Sequence, residues 1–456
     1  MATRALQNGN GGLAERQRDH CRTATKPLQN RKFAGRFTAM TDTFLHRNAR
    51  GLAEEILSDT PVLTISGARQ VGKSTLVHQL LGNREHRFFN LDESASLASA
   101  KADPDGFVRQ LPKGTLAIDE IQRAPELFRA IKGALEEDRR PGRFILTGSS
   151  NLLSLTGAEE SLAGRAETIR LHGLSVGERL GIHDDFAGRV WSLKEAGVNP
   201  TSTPSRNDYF QLFCTPSFPG LRDTSRRRQH RWFDAYVERV LSKDAAELYG
   251  IQFPDRLQNL LNKFAAQGTA ELVAAHIGRA LDIPQRSVPT YVTALSNVFL
   301  LNQLPSWGTN LEKRATSKPK VFLSDTALAS SLTGLDPQAL EMNISSALTG
   351  GICEAFVANE LLKQKAWSSI DYRLFHFRTS TGKEVDLVLE SRSRDIVGVE
   401  VKAAMSIQSK DFAGLRYLKQ VAGSSFRAGI VLYTGKDVLP MGESLWAMPI
   451  SALWHG

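Results

Sequence analysis

The chain has 456 residues, 41% hydrophobic and 23% charged, which is the composition of an ordinary globular protein with room for about two to four domains. No apolar run approaches the roughly 20 residues that cross a bilayer, and "MATRALQNGNGGLAERQRDH" lacks the apolar core of a signal peptide. Three distant cysteines (Cys21, Cys214, Cys353) form neither a zinc pattern nor a disulfide framework, so a cytoplasmic protein with no membrane partner is expected. The formal net charge is +9, but residues 1–39 hold eight basic and two acidic residues, a net +6 that leaves +3 for the other 417. Any surface that binds nucleic acid must therefore be local.

Residues 1–43 are Gly-, Asn- and Arg-rich, without apolar pattern, and are expected to form a disordered basic tail. Met40 follows most of it, so translation from Met40, with the tail an artefact, is one of two readings. Residues 44–182 read as helix, strand (Val62–Ser66), glycine loop and helix. The strands "HRFFNLDE", "GTLAIDEIQ", "GRFILTGSS" and "AETIRLHGLS" follow, with a helix through Ile131–Glu137. Strands alternating with helical segments predict an α/β parallel sheet. Residues 183–225, with "EAGVNPTSTPSRNDY", read as a linker or insert. Residues 226–340 are helical, with short helices over Glu271–Leu281 and Gln285–Asn297 and then the strands "VFLLNQL" and "KPKVFLSD". Two helices, a tight turn and a hairpin describe a winged helix-turn-helix. Residues 341–456 form a third, small α/β unit: helix "GICEAFVANELLKQ", strands "RLFHFRT", "VDLVLE" and "IVGVEVKA", helix "KDFAGLRYLKQ", strand "AGIVLYT".

"GARQVGKS" fits the phosphate-loop pattern G-x-x-x-x-G-K-[ST] and stands between a strand and a helix, as that loop requires. Gly67, Ala68, Arg69, Gln70, Val71, Gly72, Lys73, Ser74 and Thr75 are thereby candidates to bind a nucleotide. Their backbone N–H groups would close around phosphate oxygens, Lys73 would reach the β- and γ-phosphates, and the Ser74 hydroxyl would ligate Mg²⁺. In "TLAIDE", Asp119 would hold Mg²⁺ through water and Glu120 would polarise the attacking water. The strand lying between these motifs in sequence predicts the P-loop class in which the two motif strands are not neighbours. Thr147 and Ser149 in "ILTGSS" are candidates to sense the γ-phosphate, against a plain polar turn. Arg165 in "SLAGRAET" could reach a phosphate of its own or a neighbouring subunit, against a structural salt bridge.

These segments, with "FNLDE", "AIDEIQRAP", "LSVGE", "YVERVLSKD", "TYVTALSNVFLL", "PKVFLSDTALAS", "EAFVANELLK" and "HFRTSTGKEVDLVLE", resemble bacterial and archaeal AAA-type ATPases with a C-terminal domain of unknown function. The resemblance implies an ATP-binding core, a winged-helix segment and an endonuclease-like C-terminal domain. One departure is Gly173 in "IRLHGLS", where the resemblance leads one to expect proline.

In the middle segment Gln285, Arg286, Ser287, Thr290 and Thr293 could face DNA from a recognition helix. The hairpin carries Lys313, Arg314, Lys318 and Lys320 against Glu312, which suits backbone phosphates. The competing reading is a winged helix that packs against the ATPase unit. In the third unit Glu400 and Lys402 alternate with Val399 and Val401 and so share one strand face. If the strands pair, Asp386 and Glu400 converge and could share one hard cation such as Mg²⁺, with Lys402 orienting a water. Glu354, opening the preceding helix, would complete the arrangement of the PD-(D/E)XK nucleases, which this unit resembles. A charged sheet face without chemistry is the plainer alternative. The chain is thus expected to be a Mg²⁺-dependent, homo-oligomeric ATPase coupled to a DNA-interacting, nuclease-like domain. The alternative is a nucleotide-dependent switch or scaffold whose last domain holds a partner.

Overall fold

The structure is a computed structural model that describes residues 45–152, 158–193, 204–245, 251 and 253–455, apart from the side chains of 158, 159 and 313. The expected basic tail and Met40 lie outside the described residues. The described residues form one compact unit.

The first layer is a five-stranded parallel sheet. Helix α1 (Arg50–Asp59) leads into β1 (Val62–Ser66), the loop and α2 (Lys73–Leu81). Then come β2 (His86–Asn90), β3 (Thr115–Asp119), α3 (Leu127–Glu137), β4 (Phe144–Gly148) and β5 (Ala166–Arg170). Strand order is β2-β3-β4-β1-β5. The apolar runs of β1, β3 and β4 are buried end to end, as central parallel strands must be. Helix α3 buries Leu127, Phe128, Ala130, Ile131, Ala134 and Leu135, a spacing of three to four residues that keeps one face inward. β4 separates the two motif strands β1 and β3, while β2 lies at the sheet edge.

The stretch expected to be a linker is built into the fold. Residues 194–203 are outside the described set, but Arg206–Phe213 is a helix whose Tyr209, Phe210 and Phe213 are buried. Phe213 meets Phe356 at 4.7 Å between ring centroids, and Tyr209 meets Trp454 at 6.3 Å, so this helix packs on the C-terminal unit.

Next come α4 (Arg226–Arg239), a π-helical turn (Val240–Ala245), α5 (Pro254–Gln267), β6 (Thr269–Glu271), α6 (Ala274–Leu281), α7 (Val288–Asn297), β7 (Leu301–Leu304) and β8 (Lys320–Leu323). The three strands pair in the order β6-β8-β7, all antiparallel. Glu271, expected to open a helix, instead ends β6. The third unit runs α8 (Ala347–Gln364), β9 (Tyr372–Arg378), β10 (Glu384–Ser391), β11 (Ile396–Lys402), α9 (Ala413–Ala422), β12 (Phe426–Tyr433), β13 (Leu439–Pro440) and β14 (Leu445–Pro449). Its sheet is mixed, in the order β13-β14-β12-β11-β10-β9. A bridge between Ser306 and His376 ties the segment after β7 to β9.

Candidate functional site

The loop between β1 and α2 turns back on itself through Gln70 and Gly72, both with positive φ (64° and 95°). Gly67 approaches the Leu171 carbonyl so closely that a Cβ would overlap it, so no larger residue fits there without moving the backbone. Lys73 is buried and donates to the Gly67 and Ala68 carbonyls at 3.0 and 3.1 Å. Burial draws its ammonium below the usual lysine range, against the pull of Glu120 and Asp119. These bonds leave Lys73 inside the loop, where a phosphate oxygen could replace the carbonyls.

The ends of β3 and β4 bring four expected residues to the same edge. The Ser74 hydroxyl donates to Asp119 Oδ2 at 2.6 Å, and Thr147 Oγ1 donates to Asp119 Oδ1. Glu120 has a left-handed backbone (φ 56°), which turns its carboxylate out of the strand. That carboxylate accepts from Ser149 Oγ at 2.9 Å and from Gln122 Nε2. Ser74 and Asp119 are hard oxygen donors side by side, the type of set that suits Mg²⁺.

Arg165 is not part of this site. Its carbonyl accepts from Val62 N at 3.2 Å, at the opening end of β1, whereas the loop leaves the closing end. At roughly 3.3 Å per strand residue, the four steps of β1 set it about 13 Å from the loop. Arg165 therefore cannot reach a phosphate bound in its own chain. Among the described residues it makes no ion pair, and it donates to the Ala163 carbonyl at 3.3 Å. Gly173, in place of the expected proline, lies against Ser217, where a Cβ would overlap the hydroxyl.

Residues that the motifs did not mark complete the loop's surroundings. Buried Arg47 donates to the Val71 carbonyl at 2.8 Å, the His172 carbonyl at 2.7 Å and Glu178 at 2.9 Å, bracing the loop from behind. Arg69, in the loop, is held by both oxygens of Asp244 at 2.6 and 2.9 Å, from the π-helical turn after α4. Between loop and α4 lies a cavity of about 590 Å³, lined by Lys73, Ser74 and Glu120 on one side and Trp232, Tyr236 and Arg239 on the other.

The C-terminal cluster forms on a different surface. Leu387 pairs with Val399 in antiparallel register, which sets Asp386 opposite Glu400 on one face. Asp386 accepts from Val401 N at 2.9 Å, and Lys402 donates to Glu400 Oε1 at 2.7 Å. The space between the carboxylates is taken by a residue from the hairpin. Lys320 Nζ lies 2.7 Å from Glu354, 2.7 Å from Glu384 and 3.6 Å from Asp386. Burial, with Asp386 adding repulsion, pushes Glu354 and Glu400 up to about 8, while the carboxylates hold Lys320 firmly protonated. Among the described residues no group of three or more His, Cys, Asp or Glu is placed to hold a metal ion. As arranged, Glu354, Glu384 and Asp386 accommodate the Lys320 ammonium, and Glu400 that of Lys402.

Two of the hairpin's basic residues, Arg314 and Lys320, are thus engaged by carboxylates, whereas Lys318 is exposed. Arg314 makes paired 2.8 Å bonds to Glu390 and lies over the Trp307 and Phe375 rings. The Lys313 side chain lies outside the described set, and the Lys318 carbonyl lies 3.0 Å from the His376 ring nitrogen Nε2. Gln285, Arg286, Thr290 and Thr293 are exposed, and Ser287 is partly so.

Residues 59–180, which hold this fold and loop, match the family model described as AAA domain. Residues 206–339 and 349–453 match two domains of unknown function, DUF8612 and DUF4143. The chain is similar to "Uncharacterized protein Rv2008c" of Mycobacterium tuberculosis and "Uncharacterized protein Mb2031c" of Mycobacterium bovis. Each is 29% identical over 406 residues, covering 88% of this chain and 83% of the relative. Among solved structures, the Walker-type ATPase PABY2304 of Pyrococcus abyssi aligns at 15% identity and TM-score 0.38, over 65% of this chain and 99% of that one. AMPPCP-bound DnaA from Aquifex aeolicus aligns at 14% and 0.27, over 56% and 89%. Among the described residues no helix is long and apolar enough to cross a membrane.

Proposed function

We propose that this chain is a Mg²⁺-dependent ATP hydrolase that moves its middle and C-terminal units as it turns over. The observation that carries this reading is the gathering of Lys73, Ser74, Asp119, Glu120, Thr147 and Ser149 around one loop at the closing ends of β1, β3 and β4. Mg²⁺, when bound by Ser74 and Asp119, would offset charge on the transferred phosphoryl group. Lys73 exchanges its carbonyl partners for phosphate oxygens. Glu120, aimed by Ser149 and Gln122, takes a proton from the attacking water. A hydrogen-bonded chain offers the route outward: Arg170 at the end of β5 donates to Asn302 at 2.7 Å, and Asn302 donates to Asn359 of α8 at 2.8 Å. ATP hydrolysis by the full chain, lost in Lys73→Ala, tests the reading; turnover at the unmodified rate in that variant would end it.

A second reading concerns the later units. The order α5, β6, α6, α7, β7, β8 supports a winged helix, with the exposed face of α7 turned to DNA. The Asp386–Glu400 register supports a nuclease-like third unit. With Lys320 among its carboxylates that unit is not arranged to take a metal, and no cleavage step follows. Stimulation of ATP hydrolysis by DNA favours the DNA-coupled machine. ATP binding with slow turnover that DNA does not alter favours the switch or scaffold. If Arg165 meets a phosphate at all, that phosphate belongs to a neighbouring copy in a homo-oligomer.

A further inference from the structure

The far wall of the nucleotide cavity has features that phosphate binding does not explain. Trp232, Ala235, Tyr236 and Arg239 recur on α4 at intervals of three and four residues, so one face of that helix closes the cavity opposite the loop. Trp232 stacks on Tyr236, with ring centroids 4.7 Å apart and planes 11° from parallel. Phe218 packs against both, at 5.0 and 5.2 Å, and holds the pair in place. Tyr236 therefore covers one face of the indole, yet Trp232 stays partly exposed on the cavity wall.

Tyr236 is only 6% exposed, and its phenol oxygen has no hydrogen-bond partner among the described residues. Tyr236 lines the cavity that holds Lys73 and Ser74 at its other side, while its hydroxyl oxygen is closed off from that space. The chain thus sets an aromatic face across from a phosphate loop.

We propose that α4 is the nucleoside wall of this site: the base of a purine nucleoside triphosphate stacks on Trp232, whose position Tyr236 and Phe218 fix from behind. This rests on the nucleotide reading of the loop. Beside Trp232 the wall is made by Pro219, Gly220 and Ala235, which have no side-chain donor or acceptor, and by Arg239, a donor that could meet the N7 acceptor both purines carry. Stacking is tolerant of base identity, since every base has a π-face. The site therefore accepts adenine and guanine alike and rejects a triphosphate that lacks a base.

Isothermal titration of the full chain with ATP, GTP and inorganic tripolyphosphate tests this. Wild type is expected to bind ATP and GTP within about threefold of each other and tripolyphosphate at least about tenfold more weakly, the size of one base–aromatic stack. Trp232→Ala should weaken ATP and GTP about tenfold and leave tripolyphosphate unchanged; Trp232→Phe should restore most of the difference. Tyr236→Phe, which keeps the ring that backs Trp232, should leave all three affinities nearly unchanged. Equal losses for all three ligands in Trp232→Ala would overturn the stacking role, as would an unchanged ATP affinity, and a large preference for ATP over GTP would overturn the tolerance. Failure of the wild-type chain to bind any of the three would instead remove the nucleotide reading, and this proposal with it.

Discussion

Lys320 and Glu354 meet at 2.7 Å across the boundary between the middle hairpin and the first helix of the C-terminal unit. The ammonium stands among three carboxylates, so the hairpin supplies the positive charge that neutralises the cluster. One side chain thereby joins two units and fills the site that the sequence pattern offers to a cation.

Removing that ammonium should expose the cluster's demand for a cation. Lys320→Met is expected to lower the melting temperature, because breaking a buried pair by deleting one partner typically costs about 3–5 kcal/mol. Millimolar Mn²⁺ should then raise the melting temperature of the variant and leave the wild type nearly unmoved. A variant that Mn²⁺ does not affect would show that the carboxylates cannot gather around a metal even when released.

Glu120→Gln keeps the shape of the side chain and removes its basicity. ATP affinity should stay within a few-fold of wild type, while hydrolysis falls by about 10²–10⁴, the range for a positioned general base. Single-turnover phosphate release measures it; a loss smaller than tenfold would move the base elsewhere.

Asp244 and Arg69 form a bidentate pair that ties the loop to the turn after α4. Asp244→Ala leaves the Arg69 guanidinium beside Lys73 without its counter-charge. The expected loss is about 2 kcal/mol, in the range for a charge-assisted bond. In a urea-denaturation cycle, Arg69→Ala should cost little more once Asp244 is gone. Additive losses would mean that the two act separately.

Asp184 is fully buried, accepting from Asn48 at 2.8 Å and from Gln364 at 3.2 Å. Burial, then the charge of Glu360, pushes its carboxyl from 3.8 up to about 7. The folded state thus keeps a proton that the unfolded chain releases near pH 4. Its contribution to stability is full below about pH 4 and is lost as pH rises through 7, a swing on the order of 4 kcal/mol. Asp184→Asn should shrink the difference between melting temperatures at pH 5 and pH 8. An unchanged difference would place the pH response elsewhere.

The phosphate loop was legible because its parts are local: strand, glycines, Lys73 and helix lie within about twenty residues, and backbone geometry alone dictates their types. The acidic strand end was legible for the same reason. Arg47 and Asp244 were not, since each reaches the loop from a distant segment and neither stands in a motif. Lys320 was misread. A run of basic residues on a hairpin looks solvated, and only the packing of β8 against α8 and β10 turns one of them inward. Strand β6 has three residues, too few for an alternating pattern to appear. The segment before α4 read as a linker because prolines, serines and threonines precede it, although Tyr209, Phe210 and Phe213 stand together a few residues later.

That last helix decides how the protein can be divided. Residues 206–213 precede the middle unit in the chain, yet Phe213 packs on Phe356, and the Tyr209 hydroxyl accepts from Ser451 N at 3.1 Å. The polypeptide leaves its ATPase layer, lays one helix against its far end, and only then builds the middle. A fragment cut at residue 349 would carry away the docking surface without its cover, baring Phe356 and Trp454 to water. Such a piece would stick to itself, whereas one that retains residues 206–213 keeps the seam closed. For anyone transplanting the last unit into another protein, the practical boundary lies about 140 residues upstream of the one that the family match suggests.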